Sequence, residues 1–321
     1  MKYLVTGGTG FVGSALVRRL LSNGSWVRVL DNNSRGKPAR LEDISDKLEL
    51  VQADVRDAQA VQLACKGMDS VCHLAYLNGT EFFYTKPDLV LDIAVKGITN
   101  VIDGCMKEGV RELILASSSE VYQTPPAVPT DESVPLSVPN PLNPRYSYGA
   151  GKIISELMAV NFGRKYFQRV IIFRPHNVYG PDMGWEHVIP QFCVRMKELS
   201  RDTKSKQVKF PIQGNGKQTR AFVFIDDFID GLILLLEKGE HLGIYNIGTT
   251  EEITIKQVAI EIGKYFGKEA MVIPGAPAEG ATLRRCPDIS KLKKLGYLPK
   301  VSFRQGLRIT AAWYAKNIKA K

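Results

Sequence analysis

Seven residues near the start, Gly7-Gly8-Thr9-Gly10-Phe11-Val12-Gly13, restrict the possible folds more than anything else in the 321-residue chain. They follow a short strand-like run, Tyr3–Thr6, and open a segment, Ser14–Ser22, with Ala15, Leu16, Leu20 and Leu21 at helical spacing. The stretch satisfies G-x-x-G-x-x-G through Gly7, Gly10 and Gly13, and G-x-G-x-x-G through Gly8, Gly10 and Gly13. Glycine allows the tight turn, lets the backbone approach a pyrophosphate and packs helix against strand, while the helix N-terminus offers free N–H groups to an anion. A glycine pattern by itself marks any tight turn; a strand before it and a helix after it make it a dinucleotide fingerprint.

The rhythm continues downstream. Val27–Leu30, Leu48–Gln52, Ser70–Leu74, Leu113–Ser117 and Val170–Phe173 read as strands, with Ala58–Cys65, Lys86–Glu108 and Tyr148–Tyr166 as helices between them. Such alternation needs right-handed crossovers and a parallel sheet covered on both faces. A doubly wound α/β (Rossmann) fold is therefore predicted, with a smaller C-terminal α/β lobe. The expected division is 1–173 for the dinucleotide domain and 174–321 mainly for the second lobe, with about 221–248 returning to the first. Beyond Phe173, Pro175, Pro181, Pro190 and Pro211 interrupt the pattern. Asp226-Asp227 are expected to cap a helix to about Lys238, and Thr254 one from Ile255 to about Phe266. Lys204–Lys209 reads as a solvated loop.

Composition excludes several classes. Hydrophobic residues make up 44% and charged residues 24%, a globular balance that rules out a disordered chain. The net charge is +10, but the basic residues are dispersed, so a bias toward anionic small molecules is expected and nucleic acid is not. Five cysteines are scattered without any C-x-x-C, which argues against disulfides and structural metal and fits a reducing compartment. Met1–Thr6 is too short an apolar run for a signal peptide, and no stretch reaches about 18 apolar residues. A cytoplasmic protein without a membrane partner is expected.

Asp31 ends the second strand, 18 residues beyond Gly13, where a carboxylate accepts hydrogen bonds from ribose hydroxyls and repels a 2′-phosphate. That favours NAD over NADP; Arg35 nearby argues the other way. Asp54-Val55, past the third strand, is placed to flank the adenine. Tyr148 and Lys152 lie four apart on one helical face. A tyrosine titrates near pH 10 when unperturbed, so a neighbouring ammonium that favours phenolate turns the pair into a proton shuttle for an alcohol under oxidation. Ser118 is placed to donate to a substrate hydroxyl. Glu120, at the sheet's carboxyl edge, is a candidate acid or base beside a ketone-activated sugar carbon; a salt-bridged glutamate is the competing reading.

With His73-Leu74-Ala75, Arg174-Pro175-His176-Asn177-Val178-Tyr179-Gly180-Pro181, Gln218-Thr219-Arg220 and Tyr245-Asn246-Ile247-Gly248, these motifs make a combination that, almost end to end, resembles the extended short-chain dehydrogenase/reductase superfamily. Within it, the sequence is similar to the NAD-dependent nucleotide-sugar epimerase/dehydratase family. The resemblance implies a tightly held NAD, reduced and reoxidised in one cycle. Its expected contacts are Gly7, Gly10, Phe11, Val12 and Gly13, then Asp31, Asn32, Asp54 and Val55, then Leu74 and Ala75, and finally Tyr148 and Lys152. The resemblance also implies that Tyr148 takes the proton of a sugar 4-hydroxyl. Ser119, Asn177, Arg220 and Arg285 match positions that hold a nucleotide-diphosphate sugar. Helices Lys86–Glu108 and Tyr148–Tyr166 resemble a homodimer interface.

The reaction after oxidation stays open. Glu120 favours chemistry at C5, so a dehydratase leads, followed by a 4-epimerase and then a UDP-glucuronate decarboxylase. Ser118-Ser119-Glu120 is similar to the Thr-Ser-Glu of decarboxylases and some dehydratases, and Arg285-Cys286-Pro287 resembles the decarboxylases' Arg-x-Pro. Against them, Asp182 stands where that group has arginine, and Gly184-Trp185-Glu186-His187 replaces Asn-Asp-Gly-Arg. Glu186 and His187 lie on the expected substrate loop and are candidates for the missing acid, but a polar loop exposed to water is the preferred reading. Ala94 and Tyr76–Thr80 also depart from the family pattern. Outside enzymes, the alternative is a Rossmann protein that only binds a dinucleotide or RNA; such proteins typically lose the Tyr or the Lys, and both stand here.

Overall fold

The computed structural model describes residues 1–201, 203–276 and 282–318. Seven parallel strands make the central sheet: β1 (Lys2–Thr6), β2 (Trp26–Asp31), β3 (Glu49–Gln52), β4 (Ser70–His73), β5 (Glu112–Ala116), β6 (Arg169–Pro175) and a last strand, Gly243–Ile247. They lie in the order β3-β2-β1-β4-β5-β6, with Gly243–Ile247 outermost beside β6. The order reverses between β1 and β4. At such a switch point the chain leaves the two strands in opposite directions, and a crevice opens beyond their carboxyl ends.

Alternation along the strands explains why the sheet is covered twice. In β5, Leu113 and Leu115 join Val61, Ile98, Ile102 and Ala159 on one face, while Ile114 and Ala116 join Leu16 and Phe228 on the other. Both sets are apolar, as a parallel sheet sandwiched between helices requires. The first face is covered by α2 (Ala58–Cys65), α4 (Pro87–Glu108) and α5 (Ser147–Tyr166), with a short α3 (Thr80–Thr85) preceding α4. The second carries α1 (Phe11–Ser22) and the helix Ile225–Lys238, tied together by Arg19 and Asp230.

Local chemistry sets the element ends. The Asp57 carboxylate accepts from the backbone N–H of Gln59 and Ala60 to start α2, and Gly109, at φ +68°, closes α4 in the left-handed region that suits glycine. Thr254 and Gln257 form a reciprocal capping box on the helix Ile255–Tyr265.

Two expectations fail here. Residues 204–209 are not simply a solvated loop: Gln207–Ile212 is a strand paired in parallel with Glu269–Pro274, with Val208, Phe210 and Ile212 inward and Lys209 outward. The inward residues are apolar at every second position, a signal masked by Lys209 and Pro211 between them and by the lysines just before the strand. Asp226 and Asp227 do not cap their helix either. Phe224 is the N-cap, and the Asp227 carboxylate accepts from the backbone N–H of Lys300 and Val301.

Candidate active site

The switch-point crevice is walled by Gly7, Gly10, Phe11, Val12 and Gly13 at the start of α1. Asp31, Asn32, Asp54, Val55, Leu74 and Ala75 form its further walls. Every predicted cofactor residue except Tyr148 and Lys152 is therefore in one place. The glycines are required there. Gly7 sits at φ +74°, where a Cβ would come 2.7 Å from the Ala75 backbone nitrogen, and a Cβ on Gly13 would collide with the Gly7 carbonyl and lie 2.8 Å from Gly8 Cα. No side chain caps α1, so its first N–H groups face the crevice. Such a cradle of donors is the form a pyrophosphate needs.

Asp31 is buried and held by the backbone N–H of Thr9 (3.1 Å) and Asn33 (2.9 Å), which aims its carboxylate at the same space. Asp54 accepts from Arg56 and from the Asn32 amide (2.8 Å); the Arg56 hydrogen bond above all holds its carboxyl down at about 2. Arg35 does not stand free to receive a 2′-phosphate. It pairs with Glu186 and lies 5.0 Å above the Phe82 ring, while Lys37 (2.8 Å) and Arg40 (2.7 Å) pair with Asp182. Three cations of the segment after β2 thus clasp two acids of the 182–186 loop across the mouth of the crevice. Glu186 and His187 are accordingly not a water-exposed pair. Glu186 belongs to the clasp, and His187 lines the crevice, held down at about 4 by burial and then by Arg35.

The residues predicted for chemistry gather beyond the end of β5. Ser118 caps a short 3₁₀ turn, Ser119–Val121, by accepting from the Glu120 N–H, and it stands beside Tyr148, where it favours the phenolate. Tyr148 is buried: its ring stacks on Phe83 at 4.8 Å and meets Tyr76 edge-on at 5.0 Å. Burial pushes its phenol well up, against the lowering effect of Ser118. Lys152 donates to the Ala116 carbonyl at 2.7 Å, and burial pulls it down to about 7 despite Glu156. Tyr148 and Lys152 lie behind this wall, and Tyr76 forms the crevice surface on that side.

Glu120 is the centre of a charge cluster. Arg285 donates to it at 2.7 Å and Arg145 at 3.3 Å. Burial raises its pKa, but the two guanidiniums outweigh burial and hold the carboxyl at about 2. Arg220, close enough to repel Arg285 and Arg145, is brought down to about 10, mostly by burial. Three guanidiniums thus surround one carboxylate. Asn177, at φ +42°, keeps a buried side-chain nitrogen with no partner. Arg145 was not found from sequence; its position three residues before Tyr148, on the turn that leads into α5, was the available signal.

Beneath these groups lies a buried ion pair. Arg174 donates twice to Glu156 (2.8 and 2.6 Å) and once to the Tyr122 hydroxyl (2.7 Å), which donates to Asn246. Ser117 also donates to Glu156. The network ties β6, α5 and the strand Gly243–Ile247 under the catalytic edge. Among the described residues there is no group of three or more side chains suited to a metal ion, and no helix long and apolar enough to cross a membrane.

Residues 3–248 match the model of the NAD dependent epimerase/dehydratase family. UDP-glucuronic acid decarboxylase 2 of Arabidopsis thaliana is 32% identical over 323 residues, covering 99% of this chain and 69% of its own length. The UDP-glucose 4-epimerase of Thermotoga maritima, solved with UDP-glucose, superposes with a TM-score of 0.87 at 28% identity over 99% of this chain and 100% of that one. The dTDP-glucose 4,6-dehydratase of Streptomyces venezuelae, solved with NAD, does so with a TM-score of 0.86 at 31% identity, over 99% and 98%.

Proposed function

Because this chain belongs to the NAD-dependent epimerase/dehydratase family, an enzyme family with NAD as its cofactor, we propose that it decarboxylates a nucleotide-linked uronic acid through a transient 4-keto sugar. Support comes from the pairing of Glu120 with Arg285 and Arg145, beside Arg220. A carboxyl held at about 2 has no proton to give at neutral pH and is a weak base. It fits neither removal of a C5 proton nor protonation of a departing 6-hydroxyl, which moves the proposal away from the elimination favoured on sequence grounds. Decarboxylation needs neither step.

The chain's own groups divide the work. Arg285 and Arg145 each give Glu120 one terminal nitrogen and hold the substrate carboxylate through their other donors, since a guanidinium carries five N–H groups in a planar fork. Arg220 and the unpartnered Asn177 amide hold the diphosphate, in a lobe formed mainly by residues after Phe173. Tyr148, beside Ser118, takes the proton of the 4-hydroxyl and later returns it; Ser118 and Ser119 orient the sugar. NAD, which the Gly7–Gly13 turn and Asp31 would hold, would supply hydride-transfer chemistry at C4. With a ketone at C4, the C6 carboxylate belongs to a β-keto acid. The C5–C6 bond breaks, its electron pair enters the C4–C5 enolate, CO2 leaves and a proton is taken up at C5.

UDP-glucuronate given to the purified protein should yield CO2 and a UDP-pentose. Arg285→Met should cut that turnover by roughly a hundredfold, the scale of one lost charge-assisted contact of about 2–3 kcal/mol. A 6-deoxy-4-keto product from UDP- or dTDP-glucose, or conversion of UDP-glucose to UDP-galactose, would replace decarboxylation with elimination or epimerisation.

The enzyme is further proposed to act in the cytoplasm, where reduced thiols suit its five free, buried cysteines, and to pair with itself through α4 and α5. Val95 and Met106 on α4 and Ile154 and Leu157 on α5 are exposed apolar side chains. Sedimentation should give a dimer mass for the native chain and a monomer for Leu157→Glu; a native monomer overturns the pairing.

A further inference from the structure

Tyr76 stands between the dinucleotide crevice and the Tyr148–Lys152 pair. It follows β4 and forms part of the crevice wall. Lys152 Nζ lies 3.8 Å from the centroid of its ring, closer than the 5.8 Å to the ring of Tyr148. Its ring meets that of Tyr148 edge-on, at an interplanar angle of 81°. The helix makes room for it: a Cβ on Gly151 would collide with the Tyr76 hydroxyl and come 2.7 Å from Ala94 Cβ. Glycine is disfavoured inside a helix, so Gly151, inside the 20-residue α5, fits a requirement for the phenol beside it. Tyr76 and Ala94, the two departures from the family pattern that the reaction does not use, are thus neighbours of one notch.

We propose that Tyr76 is a positioning residue of the proton relay, whose π face keeps the Lys152 ammonium charged and fixed beside Tyr148. The inference rests on the reading of Tyr148 and Lys152 as the relay. A buried ammonium is penalised by desolvation, and an aromatic face opposes that penalty through its quadrupole. The other groups near Lys152 are Glu156 on its own helix, His73 on β4 and the Ala116 carbonyl on β5. Tyr148 faces Ser118 and Glu120 beyond β5 and Phe83 of α3. Glu156 is already committed to Arg174, and the His73 ring carries no compensating negative charge, so the Ala116 carbonyl and the Tyr76 ring are the groups in contact that favour the cation, and the ring is the one a side-chain substitution can remove.

The test is NMR titration of NAD-loaded protein labelled at lysine Cε, with Lys152 assigned by loss of its signal in Lys152→Arg. One lysine should titrate near neutrality, apart from the others. In Tyr76→Leu its midpoint should fall by about one pH unit, a tenfold change in the proton equilibrium. In Tyr76→Phe, which keeps the π face, it should stay at the native position. Tyr76→Met provides the same comparison if the leucine variant does not fold. A native midpoint in the Leu or Met variant, or an equal fall in Tyr76→Phe, overturns the proposal. These readouts need no turnover, so they stand apart from failure of the relay itself, which would appear as an active Tyr148→Phe enzyme.

Discussion

Tyr148→Phe protein is expected to lose oxidation of its nucleotide-sugar by roughly 10²–10⁴-fold, the contribution of a positioned general base. The phenol is the group placed to take a proton: Ser118 lies beside it and favours its ionised form, and Lys152 lies one helical turn along the same face. Burial alone drives the phenol away from ionising. The relay therefore works only when nearby positive charge offsets that penalty, which Lys152 supplies from within the protein. Because the glycine cradle and Asp31 lie apart from the Tyr148 ring, the variant should retain NAD through gel filtration. Single-turnover absorbance at 340 nm and the nucleotide content of the purified protein are the two measurements. Activity within about tenfold of native would reject the phenolate as the base.

Glu156→Gln is expected to destabilise the folded protein by about 3–5 kcal/mol, the cost of leaving a buried charge without its partner. Arg174 is only 2% exposed and Glu156 only 3%, so water cannot replace the missing contact. The substitution removes the ionic component of two Arg174 bonds and of the Ser117 bond at once. A double variant, Glu156→Leu with Arg174→Met, should recover much of the loss, because it removes both charges and fills the space with apolar atoms. Urea midpoints for Glu156→Leu, Arg174→Met and the double variant give the coupling. A midpoint for Glu156→Gln indistinguishable from native would show that the pair adds nothing to stability. A double variant as unstable as the single would show that hydrogen bonding to Tyr122 and Ser117, rather than charge, carries it.

The elements legible in the sequence were those whose signals are local. Tyr3–Thr6 and Ala58–Cys65 matched almost residue for residue, because side-chain period and an Asp57 cap act over a few positions. The strand Gln207–Ile212 was missed for the opposite reason: its partner Glu269–Pro274 lies about sixty residues further along, and its outward Gln207, Lys209 and Pro211 resemble a loop when that partner is unknown. Glu120 shows the same divide. Its presence at the sheet edge was readable, but its ionisation was not, since Arg285 meets it from 165 residues away.

The order of strands and helices, the glycine cradle and the helical spacing of Tyr148 and Lys152 followed from the amino-acid order alone, since sterics and backbone hydrogen bonding act between near neighbours. Tertiary structure decided which charges meet. It joined Glu120 to Arg145 and Arg285, closed Arg35 onto Glu186 and set Tyr76 beneath Lys152. Desolvation and Coulomb energy depend on distance through space rather than along the chain, and only the folded arrangement supplies that distance.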